Sequence, residues 1–160
     1  AEYTIRASLT GRLVFSTIHS NTTVGTIARL VDMNIERSLI AYALNGIVSQ
    51  RLVRKICETC REPYTPDPQY LASFGLNQNA SGYMKGRGCE ACRGTGYLGR
   101  TGIFEVLELD NNLRSLIIER SPMSVLEDYV VSTGMKLLRD AAREKVLQGI
   151  TTVEEVGRAV

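Results

Sequence analysis

No stretch of this 160-residue chain approaches the roughly 20 consecutive apolar residues needed to cross a bilayer. Its longest apolar run, Leu39 to Leu44, is only core-sized. The N-terminus lacks the succession of basic, apolar and small residues that directs export, so a soluble chain that is not exported is expected. Charge of one sign is lacking too: 19 basic against 17 acidic residues leave a net +2. So slight a field does not draw a protein onto a phosphate polymer, and no nucleic-acid partner is expected. Histidine occurs once, at His19. There is no internal repeat and no low-complexity tract. What is present, 44% hydrophobic and 22% charged residues, is ordinary for a globular protein with one core and room for a small appended module.

Residues 1 to 9 have the look of the second half of a helix, with Ile5 and Leu9 stacked four apart and no cap before them, which suggests a piece of a longer protein. Leu13 to Ile18 is apolar, β-branched and aromatic, and predicts a largely buried strand. Asn21 or Thr22 caps a helix in which Val24, Ile27, Leu30 and Val31 share a face. A third helix is expected with Ile40, Leu44, Ile47 and Val48 as its stripe. Gln50 to Ile56 then reads as extended.

Residues 57 to 100 change texture, holding all four cysteines and three of the four prolines, with one short helix around Asp67 to Phe74. Beyond Gly102, Ile103 to Leu107 predicts a strand and Asp110 caps a helix through Ile117. Ser121-Pro122 predicts a further helix with proline at its first position. Met135, Leu138, Ala142 and Val146 line a longer one that Gly149 ends. Thr151-Thr-Val-Glu154 makes a capping box for the last.

Cys57 and Cys60 are separated by two residues, as are Cys89 and Cys92, with 28 residues between the pairs (89 − 60 − 1). Two thiolates at this spacing chelate an ion from one tight turn, and two such turns complete the closed four-sulfur shell of structural zinc. Iron–sulfur ligation uses the same ligands and stays open at this point. A redox pair fits less well, since thioredoxin-like motifs stand alone at a helix start. Arg61 and Arg93 follow the second cysteine of each pair, where they offset the site's negative charge, and Gly94 and Gly96 free the backbone to turn N–H groups toward sulfur. Zinc here is expected to be structural, stapling a segment too poor in apolar residues to fold unaided.

Cys89-Glu-Ala-Cys-Arg-Gly-Thr-Gly96 resembles the repeat of chaperone-type zinc modules, but that family repeats the motif and this chain does not. A wider resemblance covers essentially the whole chain. Leu9-Thr-Gly-Arg-Leu-Val-Phe-Ser-Thr-Ile-His-Ser-Asn21 resembles the histidine box of the ATPases that drive type II secretion and type IV pilus assembly. Ser49 to Cys57, the two cysteine pairs, Gly99-Arg-Thr-Gly-Ile-Phe-Glu105 and the segment from Met135 to Val156 are similar to the same family in the same order. The resemblance implies an α/β fold: the C-terminal portion of a RecA-like ATPase core (1–56), an inserted tetracysteine zinc module (57–100) and a C-terminal helical bundle (101–160).

That family carries Walker A and Walker B sequences upstream of these segments. No G-x-x-x-x-G-K-[ST] string, which would cradle phosphates and hold magnesium, occurs in the 160 residues. The resemblance therefore implies a fragment, inactive alone, of a protein that binds ATP and Mg. The parent would be a cytoplasmic homohexamer, peripheral to the inner membrane through platform or cytoplasmic-domain partners of a secretion or pilus system. By the same resemblance His19 approaches the γ-phosphate and reports hydrolysis. Arg12 stands where many relatives carry a second histidine, Arg51 is a candidate for contact with a neighbouring subunit, and Arg100 sits in a turn near the nucleotide base. Arg51 and Arg54, three apart in an extended segment, are expected on opposite faces. The alternative is a stand-alone zinc-binding interaction module.

Overall fold

The computed structural model describes residues 2–77 and 82–160. Ala1, at the head of the expected first helix, and 78–81, inside the expected 57–100 segment, lie outside the described residues. In chain order the elements are α1 (Glu2–Leu9), α2 (Thr23–Asp32), α3 (Arg37–Ala43) and β1 (Gly46–Ile56). A 3-10 turn (Glu58–Cys60), β2 (Arg61–Pro63), α4 (Pro68–Ser73), β3 (Met84–Gly86) and β4 (Tyr97–Glu108) follow. Last come α5 (Asn111–Ile118), α6 (Met123–Ser132), α7 (Leu138–Leu147) and α8 (Val153–Ala159). β1 pairs with β4, and β2 pairs antiparallel with β3, Arg61 opposite Gly86 and Pro63 opposite Met84. The fold is α/β.

Contacts group the chain into two units, Ala1–Ser49 with Glu105–Leu137, and Gln50–Phe104 with Leu138–Val160. The segments 1–56 and 101–160 each contribute to both units, and 57–100 lies within the second. Helices α5 and α6 belong to the first unit and α7 and α8 to the second, so the four helices expected as one bundle divide between two cores.

In the first unit, α2 turns Val24, Ile27 and Leu30 inward at helical spacing. Thr22 caps it, its hydroxyl accepting from the Gly25 N–H at 3.0 Å. Ile40, Ile117 and Leu126 are fully buried beside Ile27, while α1 gives the core only Ile5. Asp110 caps α5 by accepting from the Leu113 N–H at 2.7 Å.

Leu13 to Ile18 is not a buried strand. It carries no regular structure, and Leu13 and Phe15 are 77% and 88% exposed. β-branched residues supply propensity, but a strand exists only where a neighbour completes its ladder, and none does among the described residues. The third helix also stops at Ala43, because Asn45-Gly46 breaks it. Ile47 and Val48 lie in β1, one buried and the other 62% exposed, which is the period of a strand.

The second unit packs Val53 of β1 and Ile103 of β4 against Leu71 and Phe74 near α4, Leu138, Ala142 and Val146 of α7, and Val153 and Val156 of α8. Asp67 caps α4, accepting from the Gln69 N–H at 2.8 Å, with Pro68 in its first turn. Gly149, at φ 63°, ends α7 as expected, its N–H donating to the Val146 carbonyl at 2.8 Å.

Three helix starts differ from expectation. Pro122 sits at the cap position before α6, not inside it. Met135 precedes α7, which begins at Leu138. The cap of α8 is Thr152, which accepts from the Glu155 N–H at 3.2 Å, one residue later than the Thr151 box. Glu155 does not complete a capping box, because Arg54 takes its carboxylate.

Candidate metal centre

The two cysteine pairs meet. The 3-10 turn after Ile56 carries Cys57 and Cys60, and the turn before β4 carries Cys89 and Cys92. Their four Sγ atoms lie within 4.8 Å of one another. Cys57 to Cys89 is 3.8 Å, Cys60 to Cys92 is 3.9 Å and Cys89 to Cys92 is 3.7 Å. A tetrahedral ion with zinc–sulfur bonds of about 2.3 Å requires sulfurs about 3.8 Å apart, so the donor set fits one such ion. A multi-iron cluster places its thiolates on different irons and spreads them further. All four are free thiols, three of them buried, and no pair is at bonding distance.

The backbone is arranged for thiolate. The N–H groups of Cys89 and Gly96 both donate to the Cys92 sulfur at 3.2 Å, which draws the Cys92 thiol below the ordinary range. Burial pushes Cys60 the other way. Gly96 thus plays the part expected of it, whereas the Gly94 N–H goes to the Cys89 carbonyl at 2.8 Å. Glycine is required at Gly96 for a second reason: at φ 75° it faces Gly86 so closely that a Cβ on either would collide with the other's backbone. Arg61 lies against Gly149 and forms an ion pair with Glu58 at 3.5 Å.

A band of hydrogen bonds joins the strands that deliver the cysteines to the start of α8. The Ile56 N–H, one residue before Cys57, donates to the Ile150 carbonyl at 2.9 Å, and the Cys57 N–H donates to the Gly96 carbonyl at 2.9 Å. Thr151 donates to the Arg54 carbonyl at 2.9 Å, and the Tyr97 and Thr152 hydroxyls meet at 2.8 Å. Tyr64 donates to Glu154 at 2.7 Å. Burial and that carboxylate push the Tyr64 phenol well above its ordinary range. The Arg54 guanidinium stands 4.2 Å over the Tyr97 ring. Glu155 accepts from Arg54, whose guanidinium holds its carboxyl below the usual range.

The other residues singled out in the sequence lie elsewhere. His19 and Arg12 are exposed on the segment without regular structure. The residues after His19 are tied down: the Ser20 hydroxyl donates to the Thr22 carbonyl at 3.0 Å, and both the backbone N–H and the hydroxyl of Thr23 donate to Glu105, at 2.8 and 2.7 Å. Arg51 and Arg54 stand at opposite parities of β1. Both nevertheless border one open groove, with Leu52 and Arg100.

Glu105, Tyr64, Tyr97 and Glu155 were not singled out by sequence reasoning. For Glu105 a signal existed: it alternates with Ile103 and Leu107, which puts it at an inward position where a carboxylate, here 3% exposed, requires donors. The others are partners across long sequence separations and carry no local signal.

The chain is thus an α/β protein whose four cysteines gather at one place. The family model for Type II/IV secretion system proteins matches residues 1–158, and the chain belongs to that family. It is 45% identical over 159 residues to the type II secretion system protein E of Pseudomonas aeruginosa, covering 99% of this chain and 32% of that one. It is 42% identical to the type IV pilus assembly ATPase PilB of Thermus thermophilus, over 98% of this chain and 18% of that one. In structure it is similar to the pilus retraction motor PilT with bound ADP, at a TM-score of 0.63 and 25% identity, covering 98% of this chain and 35% of that one. The chain thus spans a third or less of these sequence relatives. Among the described residues, no helix is long and apolar enough to cross a membrane.

Proposed function

We propose that this chain is the zinc-bearing C-terminal part of a hexameric, cytoplasmic ATPase that powers type II secretion or type IV pilus assembly. The 42% identity to a protein named as a pilus assembly ATPase carries the reading. The phosphate-loop string is missing from the sequence, so the ATP- and magnesium-binding half belongs to residues outside this chain. Cys57, Cys60, Cys89 and Cys92 hold one zinc ion. With four sulfur ligands it has no open position and does no chemistry. Its work is mechanical, fixing 57–100 so that a subunit's movement reaches partners at the inner membrane.

Within that reading His19 approaches the γ-phosphate, held by a loop that Ser20, Thr22 and Glu105 secure. Arg12, Arg51 and Arg100 are the candidates for contact with nucleotide or a neighbouring subunit. The test is ATP hydrolysis by this chain alone and by the longer protein. The chain alone is expected to be inactive and the longer protein active, with His19→Ala lowering kcat. Hydrolysis by the chain alone, or an unchanged His19→Ala rate, would contradict the proposal.

A further inference from the structure

The open groove that gathers Arg51, Arg54 and Arg100 is also lined by Arg158 and Ala159 of α8. Four arginines and one glutamate, Glu155, line it, so the lining carries a charge of about +3 at neutral pH. Arg100 and Arg158 are exposed, as is Leu52, 55% of whose surface lies open between them. We infer that this groove is a docking site for an acidic segment of a partner protein.

Three features decide the chemistry of the occupant. Glu155 already displays how a carboxylate seats here. It accepts from the Arg54 backbone N–H at 3.0 Å with one oxygen and from the guanidinium at 3.0 and 2.6 Å with the other. This is the fork geometry by which arginine takes carboxylates. Second, the groove encloses about 560 Å³. A water occupies roughly 30 Å³ of liquid, so a single small anion would leave most of the groove unfilled. Third, Leu52 and Ala159 give the lining an apolar component, which suits a segment carrying apolar as well as acidic side chains. Phosphate sites at helix termini are built from converging backbone N–H groups. Arg158 and Ala159 come from the last turn of α8, which exposes carbonyl groups and not N–H groups, so on this side the groove holds an anion through side chains alone.

This reading does not depend on His19 or on hydrolysis, but it competes with a nucleotide contact at Arg51 and Arg100, and ADP as a competitor separates the two. The experiment is fluorescence anisotropy of the intact chain with a labelled acidic peptide built from Glu and Leu. Controls are the same peptide with Gln for Glu, and inorganic phosphate and ADP as competitors. Arg100→Ala and Arg158→Ala, both at exposed positions, are each expected to weaken binding about tenfold with an unchanged circular dichroism spectrum. Affinity should fall as salt rises, and the Gln peptide should not bind. Equal binding by both variants, binding of the Gln peptide, or displacement of the acidic peptide by equimolar phosphate or ADP would overturn the proposal. Absence of any binding of the acidic peptide would overturn it as well.

Discussion

Glu155, in the first turn of α8, grips Arg54 of β1 three times, through its backbone N–H at 3.0 Å and its guanidinium at 3.0 and 2.6 Å. The two residues are 101 apart in sequence, and Arg54 is three residues before the first cysteine. The start of α8 is thereby tied to the strand that leads into Cys57.

Replacing Glu155 by alanine removes all three bonds. With charge-assisted hydrogen bonds worth about 1.5–3 kcal/mol when made to a charged group, and the guanidinium still partly open to water, a net loss of about 1–2 kcal/mol is expected. The shift of the urea midpoint at pH 7 measures it.

The same pair sets a pH dependence. The folded-state carboxyl of Glu155 titrates below its unfolded value of 4.5, because Arg54 donates to the ionised form. Its stabilisation is therefore complete above pH 4.5 and is lost as pH falls through the lower folded value. Asp110, held down by the Leu113 N–H at the cap of α5, adds to the loss in the same acid range. Urea titrations from pH 7 to pH 3 should show stability falling below about pH 4.5, and the Glu155→Gln variant should fall less steeply.

Glu105 is nearly inaccessible and accepts twice from Thr23. Glu105→Ala leaves a buried N–H and hydroxyl without their acceptor, at a cost of about 2–3 kcal/mol. Glu105→Gln keeps an acceptor oxygen and should cost about half as much. Thermal unfolding of the two variants separates these outcomes.

The helices whose apolar spacing and caps are local were legible in the sequence. Val24, Ile27 and Leu30 with Thr22, and Asp110 before Leu113, are determined within a few residues. What was not legible depends on distant partners. Leu13 to Ile18 has strand composition but, among the described residues, no strand beside it, so composition alone misled. Ile47 and Val48 suit a helical stripe as well as an alternating strand, and the break at Asn45-Gly46 decides between them. The cysteine spacing announced that the four thiols would gather, because two cysteines two residues apart already share one turn. That the centre is bonded to α8 was not legible: Tyr64, Tyr97, Arg54 and Glu155 become partners only once the chain is folded.

The glycines around the centre separate collision from backbone strain. Gly86→Ala would drive a Cβ into the Gly96 backbone and should reduce metal retention during dialysis against a chelator. Gly94, at φ 78°, has open space around the missing Cβ, so Gly94→Ala meets only the left-handed backbone penalty of about 1–2 kcal/mol and should retain the metal. Metal content after dialysis compares them.

The central claim is that the four cysteines hold one structural zinc ion. X-ray absorption at the metal edge, with elemental analysis of the same sample, tests it most directly. One zinc per chain with four sulfur neighbours at about 2.3 Å is expected, with loss of that zinc in Cys89→Ser together with faster amide exchange in Val153–Ala159. Iron in place of zinc, a nitrogen or oxygen ligand in the wild-type shell, or full zinc retention by Cys89→Ser would contradict it.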